Sequence, residues 1–132
     1  MKDSDRQLLV DLRHGLLHLH KTLLDWERAA YERVHGRMAA AELLKIIVED
    51  SQFAWLHALS QLIVRIDESL EIDALQGPEI DVALFLAEAR TVVSPDETGT
   101  PYAQRYHAAL QDNPDAVLAH RAVTTLLKTP RT

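Results

Sequence analysis

Seven histidines stand in a chain of 132 residues that has no cysteine. With thiolate ligands, thiol nucleophiles and disulfides absent, any chemistry falls to imidazole and carboxylate groups. A metal or proton-transfer centre built from them would draw on His20, Asp25, His57, His107, Asp112 and His120. The steps His20…Asp25 and His107…Asp112 match half of a hemerythrin-type pattern, whose other half is a histidine with glutamate four residues later. No histidine here has that neighbour. Glu32-Arg33-Val34-His35 is a Glu-x-x-His step of the ferritin-like di-iron kind, but such bundles need two, and this chain has one. His14 and His18 are four residues apart, on a polar helix face with Asp11 and Lys21, and have no third ligand in sequence. Iron or zinc is the cofactor this reading implies; histidines placed separately at helix boundaries, with no cofactor, is the weightier one.

Other chemistries are poorly served. No Gly-x-Ser-x-Gly elbow is present, and the glycines at 15, 36, 77 and 99 are too isolated for a phosphate loop. Thr98-Gly99-Thr100-Pro101 presents backbone N–H groups that suit an anion, although a helix cap explains the same residues. The net charge of −6 argues against nucleic acid, and the one basic cluster, Arg28, Arg33 and Arg37, is interleaved with acids. The charge is uneven: residues 49–97 carry 11 acidic and 2 basic groups, and both flanks are mildly basic. Residues 67–81 are therefore either a solvated corner or an acidic face for a basic protein partner or a divalent cation, although no EF-hand spacing is present.

The elements that must position these groups are helices. Ser4 and Gln7 fit a capping box, and Leu9, Leu12, Leu16, Leu19, Leu23, Trp26 and Ala30 then follow at steps of three and four. Gly36 fits the left-handed residue that ends this first helix. A second helix spans about residues 39–74, with a kink or break near Asp50-Ser51. Its residues Phe53, Trp55, Leu59, Leu62 and Ile66 are core or interface anchors, and its apolar character covers most of the circumference. Gly77-Pro78 opens a third helix, with Pro78 in its first turn. Thr100-Pro101 and Asn113-Pro114 each read as an N-cap followed by proline at the first helical position, which starts two more helices. Residues 129–132 read as a frayed tail. The result is one all-α domain over 1–132, an up-down helical bundle of two long antiparallel helices plus two or three shorter ones.

Two strings, Tyr31-Glu32-Arg33 with Gly36 and Phe53-Ala54-Trp55-Leu56 leading through Leu59-Ser60 to Ile66-Asp67-Glu68, resemble those of a family of small bacterial proteins. The resemblance covers roughly residues 5 to 127. It implies a helical fold and a bacterial, cytoplasmic origin, and no activity. It also implies an arginine where His57 stands. Placed in an antiparallel hairpin, Arg33 or Arg37 would pair with Asp67-Glu68. The charged start of the chain has no apolar leader, and no run reaches the length of a membrane span. The reading that follows is a non-enzymatic bundle that works by association, as a homodimer, without nucleic acid or membrane.

Overall fold

The structure, a computed structural model, describes residues 1–130; the last two positions of the expected frayed tail lie outside the described residues. Among the described residues the chain is all-helical, with α1 (Asp3–His35), α2 (Ala40–Glu49), α3 (His57–Ala74), α4 (Val82–Val92), α5 (Pro101–Asp112) and α6 (Pro114–Lys128). A 3₁₀ segment, Ser51–Leu56, joins α2 to α3. The second helix is therefore not continuous over 39–74. It stops at Asp50, whose backbone is extended and whose carboxylate accepts the Gln52 N–H at 2.8 Å. The 3₁₀ run is longer than most, and it buries Phe53 and Leu56.

The long helix α1 forms because leucines recur at helical spacing, and it packs against α3 and α6. Leu9, Leu12, Leu16, Leu19 and Leu23 are fully buried. They join Leu59, Leu62, Ile66, Leu86, Tyr106, Val123 and others in one core cluster. Four of the five anchors, Phe53, Leu59, Leu62 and Ile66, are buried within this single chain, and Trp55 is half-buried. The apolar excess of residues 43–70 is thus mostly absorbed by the chain's own helices.

Ion pairs set the register of α1 against α3. Arg6 reaches Asp73 at 2.7 Å and Arg13 reaches Asp67 at 2.7 Å, so the two helices run in opposite directions. This register overturns the expected pairing of Arg33 or Arg37 with Asp67-Glu68, since the start of α1, not its end, lies beside the end of α3. Such half-exposed pairs are worth about 0–1 kcal/mol each, so they specify alignment more than stability.

The caps follow chemistry in detail. Thr100 and Asn113 accept N–H groups of α5 and α6, with Pro101 and Pro114 opening those helices as expected. The Ser4 cap does not form: α1 starts two residues earlier, at Asp3 after Lys2, and Gln7 donates to Asp11 at 2.9 Å instead. Pro78 is not in a helix. Asp81 caps α4 through the Leu84 N–H, so α4 starts at Val82. Gly36 ends α1 with φ 81° and ψ 171°, a conformation open only to glycine. No helix among the described residues is long and apolar enough to cross a membrane.

The end of α3 carries a strained residue. The Gly77 N–H reaches the Ile72 carbonyl at 2.9 Å and the Gln76 N–H reaches that of Asp73 at 3.0 Å, the two bonds of a Schellman motif. The C′ position is Gln76, at φ 57°, where glycine is the usual occupant. A left-handed non-glycine residue costs roughly 1 kcal/mol. Gln76→Gly is expected to raise unfolding free energy by about 0.5–1 kcal/mol in urea denaturation. An unchanged or lower value would show that the turn is not strained.

Candidate functional site

Two steps of four beyond Leu23 carry the apolar stripe of α1 to Glu27 and then Tyr31, not to Trp26 and Ala30. Glu27 is 0% exposed, the only charged residue buried among those described. A carboxylate without water requires hydrogen bonds on both oxygens. Oε1 accepts Arg105 Nε from α5 at 2.6 Å and Trp55 Nε1 from the 3₁₀ segment at 2.9 Å. Oε2 accepts Gln52 Nε2 at 2.9 Å. Arg105 is placed by its own second contact, with its guanidinium carbon 4.4 Å from the centre of the Trp26 ring. Trp26 Nε1 in turn donates to Asp112 at 2.6 Å.

An aromatic chain leads away from this centre. Trp55 meets Tyr102 edge-on at 5.4 Å, and Tyr102 stacks on Tyr106 at 6.1 Å. Burial raises the pKa of both phenols, and in Tyr106 the neighbouring Tyr102 raises it further. Tyr102 donates to the Val92 carbonyl at 2.9 Å. The fully buried Tyr106 has its hydroxyl 2.7 Å from His120 Nδ1. Burial, and then Lys128, lower the pKa of His120. This contact satisfies the buried hydroxyl, with donor and acceptor set by the tautomer of His120.

The structure scatters the six residues of the metal reading. His120 is held by Tyr106, and Asp112 by Trp26. His57 is exposed at the start of α3, close enough to His20 to lower the pKa of His20, although burial of His20 contributes more. Asp25 lines an open cleft of about 380 Å³ between α1 and the start of α6, with His18, Lys21 and Asp115. His107 lies half-buried on α5. Among the described residues no three of His, Asp and Glu are arranged to hold a metal ion. The Glu-x-x-His step is likewise divided: Glu32 pairs with Arg28 at 2.7 Å, and His35 stacks on Tyr31 at 4.2 Å. His14 faces Arg13 at 3.2 Å. At Thr98–Thr100 the loop supplies its own anion, since Asp96 accepts the Thr98 N–H at 2.9 Å.

Sequence reasoning missed Glu27, Gln52 and Arg105. The usable signal was the regular four-residue step from Leu23 to Tyr31, which passes through an acid. Chemically the centre is a closed one. Both carboxylate oxygens of Glu27 are occupied and no solvent reaches them, so it joins α1, the 3₁₀ segment and α5 and does not receive a substrate.

Two outcomes test this. Removing one partner of a buried ionic group costs about 3–5 kcal/mol. Glu27→Ala is expected to lose that much in chemical denaturation; a loss below about 1 kcal/mol, the worth of a surface pair, would refute a structural role. The second outcome concerns pH. His20 and His120 have folded pKa values below the ordinary 6.5, so their stabilising contribution is complete above 6.5. As pH falls, the unfolded chain takes up protons first, and that contribution is lost through the folded pKa values. Melting temperature is expected to drop between pH 7 and about 5, and to drop less in His120→Asn. An equal drop in both proteins would contradict the assignment.

No protein-family model, no curated protein and no solved structure matches this chain, so its function rests on the geometry alone.

Proposed function

We propose that this chain is a non-enzymatic, up-and-down helical bundle that acts by self-association, as a homodimer, in the cytoplasm. One observation carries the reading. Of the ten residues of α2 only Leu43 is buried, while Leu44 and Val48, one turn apart on the same face, are each 64% exposed. Ala40 and Ala41 extend this exposed apolar surface, Ile46 and Ile47 are half-buried on either side of Leu43, and the polar residues Glu42, Lys45 and Glu49 share the opposite side. A helix that buries so little of its apolar surface is stabilised by what it packs against, and short helices are marginal alone. The closed Glu27 centre supports a non-enzymatic role, because its acid has no access to substrate.

Light scattering over a concentration series is the test. The expected mass is twice that of the chain, falling toward the monomer on dilution. Leu44→Glu/Val48→Glu is expected to weaken association by about tenfold or more, since each buried aliphatic side chain is worth roughly 1.5–3 kcal/mol. Helical circular dichroism is expected to remain unchanged, because neither side chain is in the core. A clean monomer mass at high micromolar concentration would refute the reading.

A further inference from the structure

A row of rings in contact leads from the edge of the molecule into its core. Trp55 and Tyr102 are half-buried, and Tyr106 is fully buried. Trp55 meets Tyr102 with ring centres 5.4 Å apart, and Tyr102 stacks on Tyr106 at 6.1 Å with planes 13° apart. The Tyr106 hydroxyl ends the row, 2.7 Å from His120 Nδ1. Among the described residues both indoles donate to carboxylates, Trp26 to Asp112 and Trp55 to Glu27, but Trp55 alone has its ring against a tyrosine. Indole and phenol are, with the thiol, the side chains that give up a single electron most readily. This chain has no cysteine to act as the sink.

The two phenols differ in where their protons can go. A phenol that loses an electron becomes a strong acid and must give up its proton as well. The Tyr102 hydroxyl donates to the Val92 carbonyl, which is too weak a base to hold a proton. The Tyr106 hydroxyl stands against an imidazole, the side chain suited to take a proton near neutral pH. Burial, and then Lys128, hold the His120 pKa below the ordinary 6.5, so its ring is uncharged at neutral pH and able to accept.

We propose that Trp55, Tyr102 and Tyr106 form a one-electron relay whose resting site is Tyr106, with His120 Nδ1 as the proton acceptor. The reaction partner is a one-electron oxidant of radical type that acts at Trp55. The oxidant gains one electron from Trp55, which recovers it through Tyr102 from Tyr106. The Tyr106 O–H bond breaks and an N–H bond forms at His120 Nδ1, which leaves a neutral phenoxyl radical beside an imidazolium. A one-electron reductant such as ascorbate reverses both changes, returning an electron to Tyr106 and the proton from His120. The closed interior is no obstacle, because electrons cross ring contacts where a substrate could not enter. Burial of Tyr106 also keeps the radicals of two chains from coupling. The relay is independent of the self-association reading.

Pulse radiolysis with the azidyl radical, which takes one electron and becomes azide, tests the relay. In the wild type the indolyl absorption is expected to decay as the phenoxyl absorption grows. Tyr106→Phe, which removes one oxygen atom, is expected to lose most of that growth, while Tyr31→Phe keeps it. His120→Gln leaves a hydrogen-bond acceptor beside the hydroxyl but no base, and is expected to slow the growth about a hundredfold, the usual worth of a positioned base. Wild-type protein exchanged into deuterated water is expected to react more slowly, because an O–H bond breaks in the step. Nitrogen NMR is expected to show His120 protonated on Nε2 and bare on Nδ1. Wild-type growth in Tyr106→Phe or in His120→Gln, an absent isotope effect, or a protonated Nδ1 overturns the inference.

Discussion

A carboxylate inside a protein must be matched by donors or it destabilises the fold, and Glu27 imposes that condition on this chain. Its donors come from separate stretches of sequence: Gln52 and Trp55 from the 3₁₀ segment and Arg105 from α5. Meeting the condition therefore fixes how those elements sit on α1. It also accounts for the local geometry between α2 and α3. The Asp50 cap ends one helix and turns the next residues into a 3₁₀ run that presents Gln52 and Trp55 to α1. On the far side of that break, α2 leaves the core with one buried residue. The exposed helix and the buried acid are two sides of one break.

The polar interior is stable because it is closed. The Trp26, Arg105 and Asp112 contacts hold Arg105 from the solvent side, and the Trp55, Tyr102 and Tyr106 rings fill the space beyond. His120 ends the series, hydrogen-bonded to the Tyr106 hydroxyl. A row of aromatic rings, an acid and a histidine would suggest catalysis if a cleft opened onto it. Here the acid is sealed, and the charged cleft at Lys21, Asp25 and Asp115 belongs to another face. The groups left available are on the surface, where α2 exposes Leu44 and Val48.

What could be read in the sequence was whatever depends on near neighbours. The leucine stripe of α1 repeats every turn, and Thr100-Pro101 and Asn113-Pro114 combine a cap with a fixed φ; each of these forms in the structure. The interruption at Asp50 was visible because aspartate followed by serine favours a cap. Glu27 was not visible as a buried acid, because its partners are 25, 28 and 78 positions away. The same limit applies to ion pairs. Choosing Arg13 and not Arg33 as the partner of Asp67 requires the register of α1 on α3, which packing sets and spacing does not. The start of α4 at Val82 turned on Asp81 capping more effectively than the proline at 78, a competition between two legitimate local signals. The histidines misled for a related reason. Their number suggested a common centre, while their directions are set helix by helix, and Tyr106 alone engages one of them in the interior.

The central claim is that the exposed apolar face of α2 is a surface for a second copy. Amide hydrogen exchange measured as a function of protein concentration tests it most directly, because it reports on α2 separately from the core. The account predicts that amides in residues 40–49 become more protected as concentration rises, while the buried amides of α1 around Glu27 keep the same protection throughout. Exchange in α2 that does not change with concentration, in protein that remains folded, would contradict it.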